Sequence, residues 1–162
     1  MDAPPAIVID IDTFGLSRHS NHRDDYRQWN PGLGITVGVP LGDGATGLTN
    51  GVPAAVDWVT STGTYLDSFD CRARYVLTGL RFLLGPRNWW HWGLALEMGY
   101  YDGSGMDGVA LVPALQFGYD RISLCVTGEY TSGSSANTAG RTLQNTPCSM
   151  VAVFLEFEVA RF

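Results

Sequence analysis

Large apolar residues alternate with small or charged ones along "HWGLALEMGYYDG", residues 91–103, which predicts a β-strand with two unlike faces. One face carries the large apolar side chains: Trp92, Leu94, Leu96, Met98 and Tyr100. The other face carries mainly small residues and a charge: His91, Gly93, Ala95, Glu97, Gly99 and Tyr101. The alternation alone does not decide whether the apolar face packs inside a protein core or meets lipid.

The same alternation returns along the chain between turn-forming residues and predicts about eight strands. It is clearest in residues 32–41, 75–84, 109–119 and 151–160. Residues 7–17 and 122–130 follow it less regularly. Residues 54–69 are rich in Thr and Ser, and we assign a strand there mainly because an even strand number requires one.

The composition of the second face decides between the two environments. In a soluble sandwich or barrel the face opposite the core should be rich in Lys, Glu and other long polar residues. Here it is dominated by Gly, Ala, Ser and Thr, which suit the interior of a narrow barrel. We therefore predict an all-β fold, an eight-stranded antiparallel up-and-down transmembrane β-barrel that forms a single domain over residues 1–162, with both termini periplasmic. A soluble antiparallel barrel is the alternative.

Two further features favour the bacterial outer membrane. Short links such as "YDRI" alternate with long ones such as "TSGSSANTAGRTLQNTP", as expected for tight periplasmic turns and long outer loops. Aromatic residues near the segment ends match interfacial girdles: Trp58, Trp89, Trp90, Trp92, Tyr100 and Tyr119.

Composition and charge exclude several other classes. Only 16% of the residues are charged, which is little for a surface that faces water. The net charge of −6 offers no basic surface for nucleic acid, so we expect no nucleic-acid partner. The three cysteines, Cys71, Cys125 and Cys148, fit no zinc spacing, and nothing in the sequence requires a metal or cofactor.

A row of carboxylates falls on the predicted inner face, with Arg81 as the only evident opposing charge. Hydrogen bonding to water and to Tyr or Thr is the expected state of this row, and cation binding is the alternative. Its members are Asp10, Asp12, Glu97, Glu129, Glu156 and Glu158.

Three stretches carry a resemblance to a known family: "TYLDSFDCRARYVLTGLRF", "GLALEMGYYDG" and "LVPALQFGYDRISLCVTGEY". From about Gly63 onward the chain resembles the lipid A palmitoyltransferase (PagP) family of outer-membrane enzymes. The shared features are an Asp-Ser pair followed by an aromatic residue, a glycine on the next strand, and a later Leu-Val-Pro strand ending in Gly-Tyr. The resemblance implies an acyltransferase that moves an acyl chain from a phospholipid to lipid A or another lipid acceptor.

The resemblance also implies a site. His19 would be the general base, Asp67 would orient it, and Ser68 would donate a hydrogen bond or act as the nucleophile. His22 is an alternative to His19, since the loop that follows the first strand is shorter than in the family. Gly79 would form the floor of the acyl pocket and set the chain length, so that Gly79→Met should shorten the accepted chain and leave the fold intact.

Two classes of function therefore stay open. The chain is either a lipid acyltransferase or a non-catalytic small barrel that binds lipid or serves as a structural subunit of an envelope assembly. The expected partners are phospholipid and lipopolysaccharide, with an envelope protein as a further candidate. An interior filled by large side chains would leave no acyl slot and favour the second class. Four residues could line such a slot or plug it: Phe14, Leu16, Tyr75 and Tyr101.

Overall fold

The computed structural model describes residues 7–19, 28–43, 54–67, 71–103, 106–131 and 148–162. Over these residues the chain forms eight antiparallel strands that follow sequence order around a closed barrel, with the last strand paired to the first. The predicted eight-stranded antiparallel barrel is confirmed. The strands are β1 (Val8–His19), β2 (Trp29–Asp43), β3 (Ala54–Leu66), β4 (Arg72–Leu84), β5 (Trp90–Gly103), β6 (Met106–Tyr119), β7 (Ile122–Thr131) and β8 (Cys148–Arg161).

The first and last described residues lie at the same end of the barrel, which we call the terminal end. Ile7 and Phe162 exchange two backbone hydrogen bonds there, each with an N···O distance of 2.9 Å. Tight turns join β4 to β5 and β6 to β7 at this end, and they contain the positive φ angles of Gly85 (94°) and Asp120 (52°). Strands β1, β3, β5 and β7 finish at the opposite end, which we call the far end.

The apolar face of every clear repeat points outward. On β5, Trp92, Leu94 and Leu96 are 62%, 55% and 51% exposed, whereas the small residue Ala95 between them is 8% exposed. A monomer in water rarely exposes so continuous an apolar surface. The inside and outside predicted from the alternation are therefore correct. Among the described residues no helix is long and apolar enough to cross a membrane.

Aromatic side chains gather on the outside of the barrel near the terminal end. Trp90 lies between Phe117 and Tyr119, with ring centroids 5.2 and 4.9 Å away. Trp92 contacts Phe117 at 4.4 Å, and Trp89 contacts Tyr119 at 5.5 Å. The cluster covers the ends of β5 and β6, where the sequence predicts an interfacial girdle.

Residues 54–66 of the weakly patterned segment form β3, and the irregularity of its far-end half has a structural cause. Three outward positions there, 60, 62 and 64, are threonines, and the hydroxyls of two of them bond to backbone carbonyls of β4. Thr62 donates to the carbonyl of Tyr75 at 3.0 Å, and Thr64 donates to that of Ala73 at 2.8 Å. A hydroxyl satisfied in this way can face an apolar environment, so this half of β3 needs no apolar outer row.

One expectation for β1 holds only in part. The pairing register shifts between Phe14 and Leu16 with both neighbouring strands, which marks a bulge at Gly15. Phe14 therefore points inward, whereas Leu16 is 57% exposed and Ser17 is buried. Most of the Leu16 side chain therefore lies outside and cannot plug the interior, although Leu16 still borders the interior cavity.

Candidate functional site

The terminal half of the interior is held by an ionic cluster around Arg81. This guanidinium is 3% exposed, and its Nη1 donates to Asp10 and to Glu156 at 3.0 Å each. Its Nη2 donates to Asp57 at 3.4 Å. Gln116 adds a hydrogen bond of 2.6 Å to the Glu156 carboxylate. One cation thus joins carboxylates on β1, β3 and β8, across the full width of the barrel.

A second guanidinium enters this cluster from the turn between β4 and β5. Arg87 donates to the same Asp57 oxygen that Arg81 contacts. Burial is the main cause that lowers the pKa of Arg87 from its ordinary value, the positive charge of Arg81 lowers it further, and the Asp57 carboxylate opposes both. The pair closes the terminal end of the interior with charged side chains.

Glycines on the inner face make room for long polar side chains. A Cβ added at Gly34 would lie 2.2 Å from the Tyr75 hydroxyl, and one at Gly63 would lie 2.5 Å from it. A Cβ at Gly38 would lie 2.9 Å from Nη2 of Arg81. The small residues that predicted a barrel interior are therefore matched to a few large side chains that fill it.

A chain of hydrogen bonds, which we call the acid chain, crosses the middle of the interior. The Thr36 hydroxyl lies 2.8 Å from Oδ2 of Asp12 and 2.9 Å from the hydroxyl of Ser61. Ser61 donates to Oε2 of Glu97 at 2.7 Å. The bond between Ser61 and Glu97 joins β3 to β5 and therefore passes over β4. It does so beside Gly79, which pairs with Val59 on one side and with Glu97 on the other.

The far half of the interior is packed with aromatic rings, which we call the aromatic plug. Phe14 is at its centre, with ring centroids 5.0 Å from Tyr65 and 5.5 Å from both Tyr75 and Phe154. Tyr101 lies 6.3 Å from Tyr65, and all three tyrosines are buried. Side chains of this size stacked at contact distance block the lumen of a barrel of eight strands.

A cavity of about 110 Å³ remains between the acid chain and the plug. Asp12 and Glu97 line it on one side, Leu77 and Val112 line its apolar wall, and it extends towards Ser17 near the far end. An engineered cavity of about 150 Å³ holds a molecule the size of benzene. This cavity, bounded by described residues, is therefore too small for a long acyl chain.

Another histidine and hydroxyl meet inside the terminal end. Nε2 of His91 lies 3.0 Å from the Ser123 hydroxyl, and its Nδ1 lies 3.1 Å from the carbonyl of Trp89. Both residues are buried, and a Cβ at Gly118 would lie 2.2 Å from Nε2. The contacts on all sides make this pair part of the packed interior.

The predicted site residues lie at the far end as far as the structure describes them. His19 is the last residue of β1 and pairs with Met150 of β8; its side chain, like the whole of Ser68 and His22, lies outside the described residues. Asp67 is 1% exposed and follows β3 directly. Its Oδ1 accepts a hydrogen bond of 2.8 Å from the backbone N–H of Cys71, so this carboxylate stabilises the β3–β4 turn.

Gly79 faces the interior as predicted, but its surroundings differ from those of a pocket floor. A Cβ at this position would lie 2.0 Å from the carbonyl oxygen of Leu96 and 2.6 Å from Cα of Glu97. Both are backbone atoms of the neighbouring strand, which cannot move aside as a flexible side chain can. The expectation that Gly79→Met leaves the fold intact is therefore wrong.

Sequence reasoning identified most of the acidic row but not its organisation. Asp10 and Glu156 pair with Arg81, Asp12 bonds to a threonine as expected, and the side chain of Glu129 lies outside the described residues. Asp57 was missed because β3 lacked a clear pattern. The position of Asp57 between the apolar residues Val56 and Trp58 of the opposite face was the available signal for it.

Comparison with known proteins finds similarity to solved structures but not to protein families or curated sequences. No protein-family model matches the chain, and no curated protein matches it. Among solved structures, the chain is similar to the Yersinia pestis outer membrane protein Ail, whose backbone structure was obtained in a phospholipid bilayer nanodisc. The alignment covers 98% of this chain and 99% of that chain, with 9% identity and a TM-score of 0.47.

Proposed function

We propose that this chain is a small outer-membrane barrel that binds lipid through its exterior and acts without catalysis. The support for a membrane is the outward apolar surface, on which Val109 and Leu115 are 75% and 62% exposed. Burying such side chains in lipid contributes about 1.5–3 kcal/mol each, a gain that a soluble form would lose. The aromatic cluster at the ends of β5 and β6 suits the boundary between lipid and water.

The packing of the interior is our reason for proposing a non-catalytic protein. The aromatic plug occupies the half of the lumen in which the resemblance to the palmitoyltransferase family would place an acyl chain. The remaining cavity of about 110 Å³ is smaller than one that holds benzene. Asp67, the proposed orienting residue, already bonds within its own turn. The ionic cluster fills the other half and makes an open solute channel equally unfavourable.

Expression of the chain in the outer membrane of a Gram-negative host tests this proposal. Mass spectrometry of lipid A and phospholipids from these cells should match that of cells without the protein, and His19→Ala and Ser68→Ala should change nothing. New acylated lipid that disappears in both variants would establish the acyltransferase instead. Recovery of the protein as a detergent-free soluble monomer would exclude the membrane assignment itself.

A further inference from the structure

The carboxylates of the lumen fall into two groups with different charge balance. In the ionic cluster, Asp10, Asp57 and Glu156 are paired with the guanidiniums of Arg81 and Arg87. Asp12 and Glu97 line the interior cavity together with Arg81, but neither is among the carboxylates that pair with it. Within the described part of the chain, neither has a basic side chain in ion-pair contact, and their polar contacts are the hydroxyls of Thr36 and Ser61.

One oxygen atom of the second group has no hydrogen-bond partner among the described residues. It is Oδ1 of Asp12, a residue that is only 2% exposed. A buried carboxylate oxygen left in this state costs free energy, so it marks a place where a donor belongs. Asp12 lines the cavity of about 110 Å³, and Glu97 lines the same cavity.

The residues that line the cavity indicate which kind of hydrogen-bond donor would suit Asp12. A cation is favoured by two carboxylates that have no ion pair. The described residues contain no group of His, Cys, Asp and Glu side chains that could hold a metal ion. A primary ammonium carries three N–H donors and needs fewer oxygen ligands than a hard metal ion. Leu77, Ala95 and Val112 provide an apolar wall beside the acids, which suits a short hydrocarbon stem.

We propose that this cavity binds a small primary amine in its protonated form, with the ammonium group between Asp12 and Glu97 and a stem of about four carbons against the apolar wall. The size follows from comparison with the cavity of about 150 Å³ that holds the six carbons of benzene. Charge-assisted hydrogen bonds to carboxylates are strong in a dry interior, so charge is the main determinant of selectivity. Ser17 also lines the cavity, on its far-end side.

The test uses the full chain in phospholipid nanodiscs and n-butylammonium as the probe. Titration followed by NMR should give saturable shifts of the amide signals of Asp12, Thr36, Ser61 and Glu97. Asp12→Asn should weaken binding about tenfold or more, because a charged partner of a buried ammonium is lost. Asp102→Asn is the matched control, since it removes an exposed carboxylate outside the lumen and should leave the affinity unchanged.

Two further measurements separate the amine from other occupants. n-Butanol has the same stem without the charge and should neither shift these amides nor compete. Glu97→Gln provides a second loss of charge should Asp12→Asn fail to fold. Bound amine should raise the thermal unfolding midpoint of the wild type and of Asp102→Asn, but not that of the lumenal variants. Absence of saturable binding by the wild type, equal binding of butanol, or unchanged affinity in the lumenal variants would each overturn the proposal and leave water as the occupant. The readouts are independent of lipid acylation, so this test and that of the proposed function can fail separately.

Discussion

Replacing Arg81 by methionine tests whether the ionic cluster stabilises the barrel. Methionine keeps much of the stem and removes the charge. Asp10 and Glu156 would each lose a donor at 3.0 Å, while Asp57 would keep Arg87. Removing one partner from a buried ion pair costs about 3–5 kcal/mol, because the carboxylates stay in an apolar interior without a counter-charge. We expect Arg81→Met to lower the free energy of unfolding by an amount in this range.

Arg161 provides the matched control. It forms an ion pair with Glu158 at the rim of the terminal end, and its side chain is 38% exposed. Pairs that water can reach contribute about 0–1 kcal/mol, so Arg161→Met should have a small effect. Equilibrium unfolding in urea, with the barrel reconstituted in phospholipid vesicles, measures both variants on the same scale.

A rescue variant distinguishes loss of charge balance from loss of packing. Adding Asp10→Asn and Glu156→Gln to Arg81→Met removes the uncompensated carboxylates and should recover part of the lost free energy of unfolding. The reasoning would be refuted if Arg81→Met and Arg161→Met cost the same small amount. It would also be refuted if the triple variant were less stable than Arg81→Met alone.

Three other measurements examine the exterior, the glycine contacts and the interior. Leu96→Arg, on the outer face at the middle of β5, should lower the free energy of unfolding in vesicles by about 2–4 kcal/mol. The inward substitution Ala95→Ser should have only a small effect, and equal effects of the two would contradict the assignment of the inner and outer faces. Gly63→Ala should destabilise the barrel because its Cβ would lie 2.5 Å from the Tyr75 hydroxyl, and Tyr75→Phe in the same chain should restore part of the loss in the same urea assay. The Cys125 thiol is 3% exposed, so mass spectrometry should detect maleimide on it only after unfolding, and rapid labelling of the native barrel would contradict the packed interior.

The architecture could be predicted from the sequence because outward and inward residues of different character alternate along each clearly patterned strand. On β5 the outward and inward residues alternate without interruption from Trp90 to Tyr101, and the structure follows that alternation residue by residue. The alternation is weak in β3, where side-chain hydrogen bonds take the place of apolar outward residues. The outer threonines of β3 bond to the backbone of β4, which no count of apolar residues reveals.

The organisation of the interior could not be predicted because it depends on contacts between distant parts of the sequence. Arg81 is 71 residues from Asp10 and 75 from Glu156, and closure of the barrel brings the three together. The bulge at Gly15 is a second example. It reverses the faces after Phe14 and sends Leu16 outward, although simple alternation places both residues on one side.

Small inward residues are compatible with opposite functions, and the structure shows why. A row of glycines can line an empty slot for an acyl chain, or it can provide the space in which side chains from other strands lie. Gly34 and Gly63 provide that space for Tyr75, which crosses over both of them. Beside Gly79, Glu97 reaches over β4 to Ser61. The side chains that reach these glycines begin one or more strands away, so the volume of the glycine row alone carries no information about whether the lumen is open. For this chain the inward tyrosines, arginine and carboxylates occupy the space beside the glycines, and that packing is what supports the proposed non-catalytic barrel.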